Sequence, residues 1–293
     1  MEDVKSRLVH LHHCRGIGWK SIFRLLKHDP TLKTMYNLTE YDLKQLLHLP
    51  PLTSKQTLLD LHSDRLLNKI HHYYTENIEI VAIFDKCYPP LLKEIFQPPW
   101  ILYVKGDMKL LTNNLKLAVV GSRQGSSYGR QAINMLFPEL IKKEFLIVSG
   151  LARGIDSYAH QTAINLGGKT IAVIAGGFYH IYPKENENLA LKIMDQHLIL
   201  SEYPPHTRPV RWQFPMRNRI ISGLSRGVLI IEAKKRSGAL ITADYALEQG
   251  REVFSLPGQI MSPFSIGTNQ LIQKGAKLVI TPLDILEELT IRA

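Results

Sequence analysis

One stretch near the middle of the chain, residues 116–156, most constrains the fold. It contains two short apolar runs, at 117–120 and 145–148, each followed by a glycine turn, with an amphipathic helical pattern at 128–141 between them. Short apolar runs bounded by glycine are typical of buried parallel strands, and the helices between such strands cover the faces of the sheet. Glycine turns beside helix N-termini favour an anion. The stretch therefore predicts a strand–turn–helix–strand unit with an anion site at its glycine turns.

The same alternation of strand and helix patterns continues to the end of the chain. Further strands are predicted at 170–175, 197–202, 227–232, 252–256 and 277–280, and helices at 155–166, 185–195, 216–224, 239–249 and 268–274. Such alternation indicates an α/β fold, an extended Rossmann-like doubly wound sheet that is mostly parallel. We assign this fold to residues 76–293. Residues 1–75 instead show leucines at helical spacing and predict a small all-helical N-terminal domain.

Composition limits the classes of function. The chain has 36 Lys and Arg against 26 Asp and Glu, a formal charge of +10, which favours polyanionic partners. Its two cysteines form no C-x-x-C pair, which argues against a disulfide framework or a zinc site. The N-terminus lacks the apolar core of a signal peptide, and no apolar run reaches about 18 residues. We therefore expect a cytoplasmic protein with no metal and no membrane partner.

Familiar cofactor and catalytic motifs are missing. Gly121 and Gly125 give G-x-x-x-G, which does not match the G-x-G-x-x-G of a dinucleotide site. The sequence has no complete P-loop, no G-x-S-x-G nucleophile elbow and no H-E-x-x-H zinc motif. These mismatches predict a protein that uses no cofactor.

Positive charge marks the carboxyl ends of the predicted strands, where open α/β sheets bind their ligands. Five successive loops carry Lys or Arg, and several add aromatic residues: Arg123; Arg153; Phe178, Tyr179, Tyr182 and Lys184; Arg208, Arg211, Trp212, Phe214, Arg217 and Arg219; and Lys234, Lys235 and Arg236. Cations for phosphates and rings for stacking are the composition of a groove for single-stranded nucleic acid.

Within this groove, residue type suggests each role. The amides of Gly121, Gly150 and Gly154 are predicted to donate to the strand, and Phe178, Tyr179 or Tyr182 to stack on bases. Arg219 opposes the dipole of its own helix, which indicates an anionic partner. That partner is either a ligand or a buried carboxylate such as Glu202 or Glu232.

Seven motifs follow one another in an order that resembles the DNA-processing protein A family (DprA, also called Smf). They include GSR at 121–123, SGLARGID at 149–156, SEYPP at 201–205, FPMRNRIISGLS at 214–225 and GTNQLIQKGA at 267–276. The resemblance implies an extended Rossmann fold and a homodimer. It also implies a protein that binds and protects incoming single-stranded DNA and loads the RecA recombinase during natural transformation, without enzymatic activity.

The resemblance also assigns residues. It places Arg123, Lys184 and Arg211 on DNA, and we add Ser122, Arg153, Arg217 and Asn218, which lie within the same motifs. The family pairs its protomers through a C-terminal segment, which here contains Asn269, Leu271, Ile272 and Leu278, and recombinase contact is thought to overlap it.

Two questions stay open in the sequence. Gly16-Ile17-Gly18 resembles the turn of a helix-hairpin-helix element, which binds DNA phosphates, whereas other family members carry a SAM-like bundle in this region. The sheet also resembles that of nucleoside-monophosphate phosphoribohydrolases, which would make the chain an enzyme. Their P-G-G-x-G-T run is absent, because residues 234–250 read KKRSGALITADYALEQG.

Overall fold

A computed structural model describes residues 3–290 of the chain. They form two compact units. The first comprises the chain up to Phe84 together with Pro99–Leu102, and the second comprises Asp85–Pro98 and the chain from Tyr103 onward. Within residues 3–290, no helix is both long enough and apolar enough to cross a lipid bilayer.

The first unit is helical, as the leucine spacing predicts. Its elements are five α-helices, a 3-10 turn at Thr34–Asn37 and the strand β1 (Glu79–Ala82); the helices are α1 (Val4–His13), α2 (Trp19–His28), α3 (Glu40–Leu47), α4 (Pro51–Leu61) and α5 (Asp64–Thr75). Polar caps start several of them: the Asp3 carboxylate accepts from Ser6 N at the start of α1, and Thr39 and Asp42 form a capping box on α3. Among the leucines at helical spacing, Leu8, Leu11 and Leu25 are buried, whereas Leu59 on α4 is 61% exposed.

The second unit is built on the predicted sheet. Its strands are β2 (Ile101–Gly106), β3 (Lys116–Val120), β4 (Leu146–Ser149), β5 (Thr170–Ile174), β6 (Leu198–Ser201), β7 (Gly227–Ile230), β8 (Glu252–Ser255) and β9 (Lys277–Leu278). The first two residues of β2 belong to the first unit. The strand order is β1-β2-β6-β5-β4-β3-β7-β8-β9. Strands β3 to β9 pair in parallel, whereas β2 runs antiparallel to β6.

Helices connect these strands and pack on the sheet. They are α6 (Pro90–Lys93), α7 (Ser127–Lys142), α8 (Ile155–Asn165), α9 (Glu187–Gln196), α10 (Gln213–Gly223), α11 (Gly238–Glu248), α12 (Ile266–Gln273) and α13 (Leu283–Thr290). Phe137 on α7, Ile147 on β4 and Phe254 on β8 belong to one buried apolar cluster. The predicted mostly parallel α/β sheet is thus confirmed.

Several element boundaries differ by one to three residues from the sequence-based expectation. Helix α10 begins at Gln213 rather than 216, because Pro215 lies in the first turn, where a missing N–H breaks no helical hydrogen bond. Strand β9 is only two residues long instead of four.

The strand order reverses beside β3. From β3 the chain proceeds through β4, β5 and β6 in one direction, and then β7, β8 and β9 follow on the other side of β3. In open α/β sheets the crevice at such a switch point, outside the carboxyl ends of the strands, is where ligands bind. The carboxyl ends of β3 and β7 therefore mark the place to look for a site.

Candidate nucleic-acid interface

A cavity of about 910 Å³ opens at the switch point. The turn after β3 (Gly121 to Gln124), the start of α10 and the loop between β7 and α11 form its walls. A smaller cavity of about 190 Å³ shares Arg123, Tyr182, Phe214 and Arg217 with it. Within residues 3–290 no three His, Cys, Asp or Glu side chains come together as ligands for a metal ion.

The lining of the large cavity is strongly basic. Its accessible cations, which we call the cationic rim, are Arg123, Arg211, Lys234, Lys235 and Arg236. The one acidic residue in that lining is Asp156, which is buried. The cavity therefore presents positive charge with almost no opposing charge of its own, which suits a ligand with several phosphates.

Aromatic rings lie beside the rim. The guanidinium of Arg123 is 5.8 Å from the centroid of the Phe214 ring, within the range of a cation–π contact. Tyr182 meets Phe214 edge-on, with ring centroids 5.6 Å apart at 69°. Because 57% of Tyr182 is exposed, its ring remains available to a ligand. Cations and an accessible ring thus share one wall of the cavity.

A carboxylate of the chain itself lies beside each helix N-terminus at which the glycine turns predict an anion site. At α7, Ser126 N donates to the Glu232 carboxylate at 2.9 Å, and Ser126 Oγ bonds to the same group. At α8, Ala152 N donates to Asp156 at 3.3 Å. Each helix start already faces a carboxylate of the chain itself. A phosphate brought to either position would meet negative charge.

The three glycines serve internal packing. A Cβ on Gly121 would lie 2.7 Å from Ile155, and one on Gly150 would lie 2.5 Å from the Arg217 guanidinium. Gly154 has a φ of +72°, and a Cβ there would lie 2.4 Å from Ser122 O. In addition, the Gly150 amide donates to Asp156. The amide of Gly150 is therefore not free for a DNA strand, contrary to the sequence-based expectation.

Arg217 supports the floor of the cavity, whereas we expected it to bind DNA directly. It is buried, and its Nη1 donates to the carbonyl oxygens of Gly150 and Val173 at the ends of β4 and β5. Burial lowers the pKa of Arg217 to about 10, against the opposing effect of Asp156. Burial in turn raises the pKa of Asp156, and Arg217 opposes that shift. With donors committed to the backbone, Arg217 holds the loops that carry the rim.

Arg219 has the buried carboxylate partner that its position in the helix indicated. Its Nη2 lies 2.5 Å from Glu202 Oε1, and its Nη1 donates to Gln97 O at 2.8 Å. Both side chains of the ion pair are largely buried. Arg219 therefore belongs to the scaffold and not to the ligand surface.

The other predicted DNA-binding residues occupy varied positions. Ser122 and Asn218 line the large cavity, and Asn218 Nδ2 donates to Gly238 O at 3.2 Å, which links α10 to α11. Arg153 lines the smaller cavity and pairs with Glu185 at 2.6 Å. Lys184 is exposed at the start of a 3-10 turn and lies outside the lining of both cavities. Of the three rings predicted to stack on bases, Phe178 is only 7% exposed, whereas Tyr179 and Tyr182 are 45% and 57% exposed.

The sequence places Phe214 and Lys234 in the predicted groove but assigns neither of them an individual role. The Phe214 ring contacts the Arg123 guanidinium. The feature of the sequence that could have indicated this role is the Phe-Pro pair at the start of an arginine-rich helix. Lys234 Nζ donates to Gln124 Oε1 at 2.5 Å, which joins the loops after β3 and β7. That junction has no local signal, because the two residues lie 110 positions apart.

The predicted dimer residues lie near the end of the sheet. Asn269 bonds to Gly258 through both its side-chain atoms, at 3.1 and 3.0 Å. Leu271 is buried and Ile272 is half-buried, whereas Leu278 on β9 is 43% exposed. Ile280 and Leu283, at 60% and 59% exposed, extend the apolar surface beside Leu278.

Comparison with known proteins gives consistent matches. The family model described as DNA recombination-mediator protein A matches residues 79–290. The DNA processing protein DprA of Bacillus subtilis is 51% identical over 217 residues, 74% of this chain and 73% of that protein. Protein Smf of Escherichia coli is 45% identical over 214 residues, 73% of this chain and 57% of that protein.

Two solved structures are similar as well. The X-ray structure of DprA from Streptococcus pneumoniae aligns with a TM-score of 0.85 and 38% identity, covering 98% of both chains. A structure of DprA from Helicobacter pylori, described by its single-stranded DNA binding mode, aligns with a TM-score of 0.66 and 32% identity, covering 73% of this chain and 97% of that one.

Proposed function

Because the chain belongs to the DNA recombination-mediator protein A family, we propose that it binds single-stranded DNA in the cavity at the switch point. The family membership confirms the resemblance in the sequence motifs. One observation carries the proposal. The cationic rim surrounds a cavity whose single carboxylate is buried, and the exposed Tyr182 ring lies in the same wall. Proteins that bind single-stranded nucleic acid combine cations that contact phosphates with aromatic rings that stack on bases.

In this proposal the strand follows the rim. Arg123 and Arg211 neutralise phosphates at one side, Lys234, Lys235 and Arg236 at the other, and a base stacks on Tyr182. Lys184 extends the positive surface beyond the cavity, and Ser122 and Asn218 provide neutral contacts. Arg217 holds this surface in place from beneath, through the backbone oxygens that it binds.

We further propose that the protein does not catalyse a reaction. Its role would be to protect incoming DNA and to load the RecA recombinase on it during natural transformation, as the family resemblance implies. A phosphoribohydrolase would need to hold a nucleoside monophosphate, and Glu232 and Asp156 occupy the two helix N-termini that suit its phosphate. Release of adenine from adenosine monophosphate by the purified protein would contradict this part of the proposal.

We also propose that the chain has two domains, a helical domain at residues 1–75 and a DNA-binding domain at residues 76–293.

The salt dependence of oligo(dT) binding tests the groove. Each phosphate contact with a single strand contributes about 0.7 to the slope of log affinity against log salt. We expect Arg123→Gln and Arg211→Gln each to weaken binding and to lower that slope by about 0.7. Fluorescence anisotropy of a labelled oligonucleotide at several KCl concentrations measures both quantities.

Lys143→Gln is the matched control, since Lys143 is an exposed cation at the opposite end of α7 from the cavity. It should leave affinity and slope close to those of the unaltered protein. If the two arginine variants also keep the wild-type slope, the strand does not lie along the rim.

A further inference from the structure

Three aromatic rings form a ladder in the first unit. Phe23 stacks on Trp19 with ring centroids 5.5 Å apart at 14°, and Trp19 stacks on Trp100 at 5.2 Å and 26°. Trp100 Nε1 also donates to Trp19 O at 3.1 Å, which fixes the two indoles relative to each other. The ladder is therefore a rigid stack whose first ring, Phe23, belongs to α2.

The outer end of the ladder is open to solvent. Phe23 is 48% exposed although one face of its ring rests on Trp19. A large apolar ring left half-exposed at the end of a stack can accept one more flat ring at little cost in conformational entropy, because its rotamer is already fixed. A nucleobase has the required flat π-face.

Positive charge surrounds this open ring. Lys20 and Lys27 lie three before and four after Phe23, so they share its face of the helix, and both are exposed. Arg24 is half-buried and donates to Leu47 O at 3.1 Å, so it is not part of this face. The whole of α2, WKSIFRLLKH, contains no Asp or Glu. The opposite face, with Ile22 and Leu25, is buried. The exposed face of α2 therefore combines an aromatic platform with uncompensated cations.

We propose that this face of α2 is a second contact site for single-stranded DNA, where a nucleobase stacks on Phe23 and Lys20 and Lys27 neutralise phosphates on either side of it. We favour DNA over a protein partner because of charge complementarity. A DNA strand carries a phosphate at every nucleotide, whereas a protein surface would need several carboxylates placed to match the cations of α2. The inference extends the proposed single-strand binding to a second surface of the same chain. It can fail while binding at the cationic rim stands.

The three tryptophans of the chain make the ladder observable, since two of them, Trp19 and Trp100, are its members. In the full chain carrying Trp212→Phe, the tryptophan fluorescence comes only from the ladder. Adding Arg123→Glu and Arg211→Glu reverses two charges of the cationic rim and should strongly weaken binding there. In this background we expect oligo(dT) to quench the fluorescence in a saturable way, and an abasic oligonucleotide of equal length to quench much less.

Two variants in that background decide the proposal. Phe23→Leu keeps an apolar side chain for folding but removes the stacking ring, and it should weaken oligo(dT) binding about fivefold or more. Lys20→Gln with Lys27→Gln should weaken it similarly and reduce its salt dependence. Tyr41→Ala, at an aromatic residue of α3 that is 68% exposed and outside the ladder, is the control and should change nothing.

The inference would be overturned if oligo(dT) did not change the tryptophan fluorescence, or if Phe23→Leu bound oligo(dT) as tightly as its parent. An unchanged fluorescence is also the result expected if this face of α2 binds a protein instead of DNA. The two proposals fail separately. If Arg123→Gln and Arg211→Gln leave DNA binding unchanged in the otherwise wild-type chain, binding at the cationic rim is wrong, and the fluorescence of the ladder still tests binding at α2.

Discussion

Two arginines of the same cavity show how surroundings decide the role of a residue. Arg123 is exposed, and its guanidinium lies over the Phe214 ring, so its charge is available to a ligand. Arg217 is buried and donates to two backbone oxygens, so its charge supports the loops. Both belong to motifs that the sequence marks as functional. The difference comes from contacts between residues far apart in the chain.

His160 gives a prediction about pH. It is buried on α8, its Nδ1 lies 2.6 Å from Thr170 Oγ1, and burial, with His197 and Arg217 nearby, lowers its pKa to about 3. In the unfolded chain the pKa returns to the usual value of about 6.5, so acid favours the unfolded state. The stabilising effect of a neutral His160 is complete above about pH 6.5 and is lost as pH falls toward 3.

We therefore expect His160→Gln to flatten the pH dependence of stability. Between pH 7.5 and 5 the unaltered protein should lose about 2 kcal/mol more than the variant in free energy of unfolding, measured with urea. His10, His12 and His197, whose pKa values are also lowered by burial, remain in both proteins, so their effect cancels in the comparison. Equal slopes for the two proteins would show that His160 is already protonated in the folded state or never titrates on unfolding.

At the scale of elements, α7 shows what the sequence can and cannot predict. The apolar run of β3, the glycine turn and the amphipathic repeat are local signals, and they place the strand and the helix within a residue of their bounds. The partner at the helix start is Glu232, 106 positions away from Ser126. Only the parallel pairing of β3 with β7 brings the two together. Sequence patterns therefore indicated a helix N-terminus but not the carboxylate that occupies it.

The capping of α7 by Glu232 is a testable element-scale feature. Ser126 Oγ bonds to Glu232 and also accepts from Gly129 N at 3.2 Å, and the first turn of α7 has no acidic residue of its own. Glu232→Ala would leave the partly buried Ser126 N and Ser126 Oγ without their acceptor and should lower the free energy of unfolding by about 1.5–3 kcal/mol in urea at neutral pH. Glu139→Ala, at an exposed carboxylate near the other end of α7, should change it by less than about 0.5 kcal/mol.

A second measurement on the same variant tests the anion argument. With the carboxylate gone, the N-terminus of α7 becomes the anion site that the glycine turn suggested, so inorganic phosphate should raise the Tm of Glu232→Ala more than that of the unaltered protein. Equal phosphate effects on both proteins would mean that Glu232 does not block that position.

At the scale of the whole molecule, the edge of the sheet at β9 is a candidate surface for dimer formation. Strand β9 is the last in the order, so within residues 3–290 its outer side has no neighbouring strand. Leu278, Ile280 and Leu283 leave an apolar surface there. Edge strands with exposed apolar residues tend to pair with another chain. The surface fits the homodimer that the family resemblance implies.

Because Leu278 is 43% exposed, replacing it should disturb assembly more than folding. We expect Leu278→Arg to convert a dimer into a monomer in light scattering, since an arginine at each of two facing edges adds repulsion and removes apolar contact.

The dimer would present two cationic rims to one strand. The monomer should therefore bind a long oligo(dT) at least about tenfold more weakly and a short one with unchanged affinity. Leu191→Arg, at a leucine of α9 that is 58% exposed, is the control and should leave both properties intact. A Leu278→Arg protein that still scatters as a dimer would place the interface elsewhere, and a monomer that binds long and short strands with unchanged affinity would show that each rim acts alone.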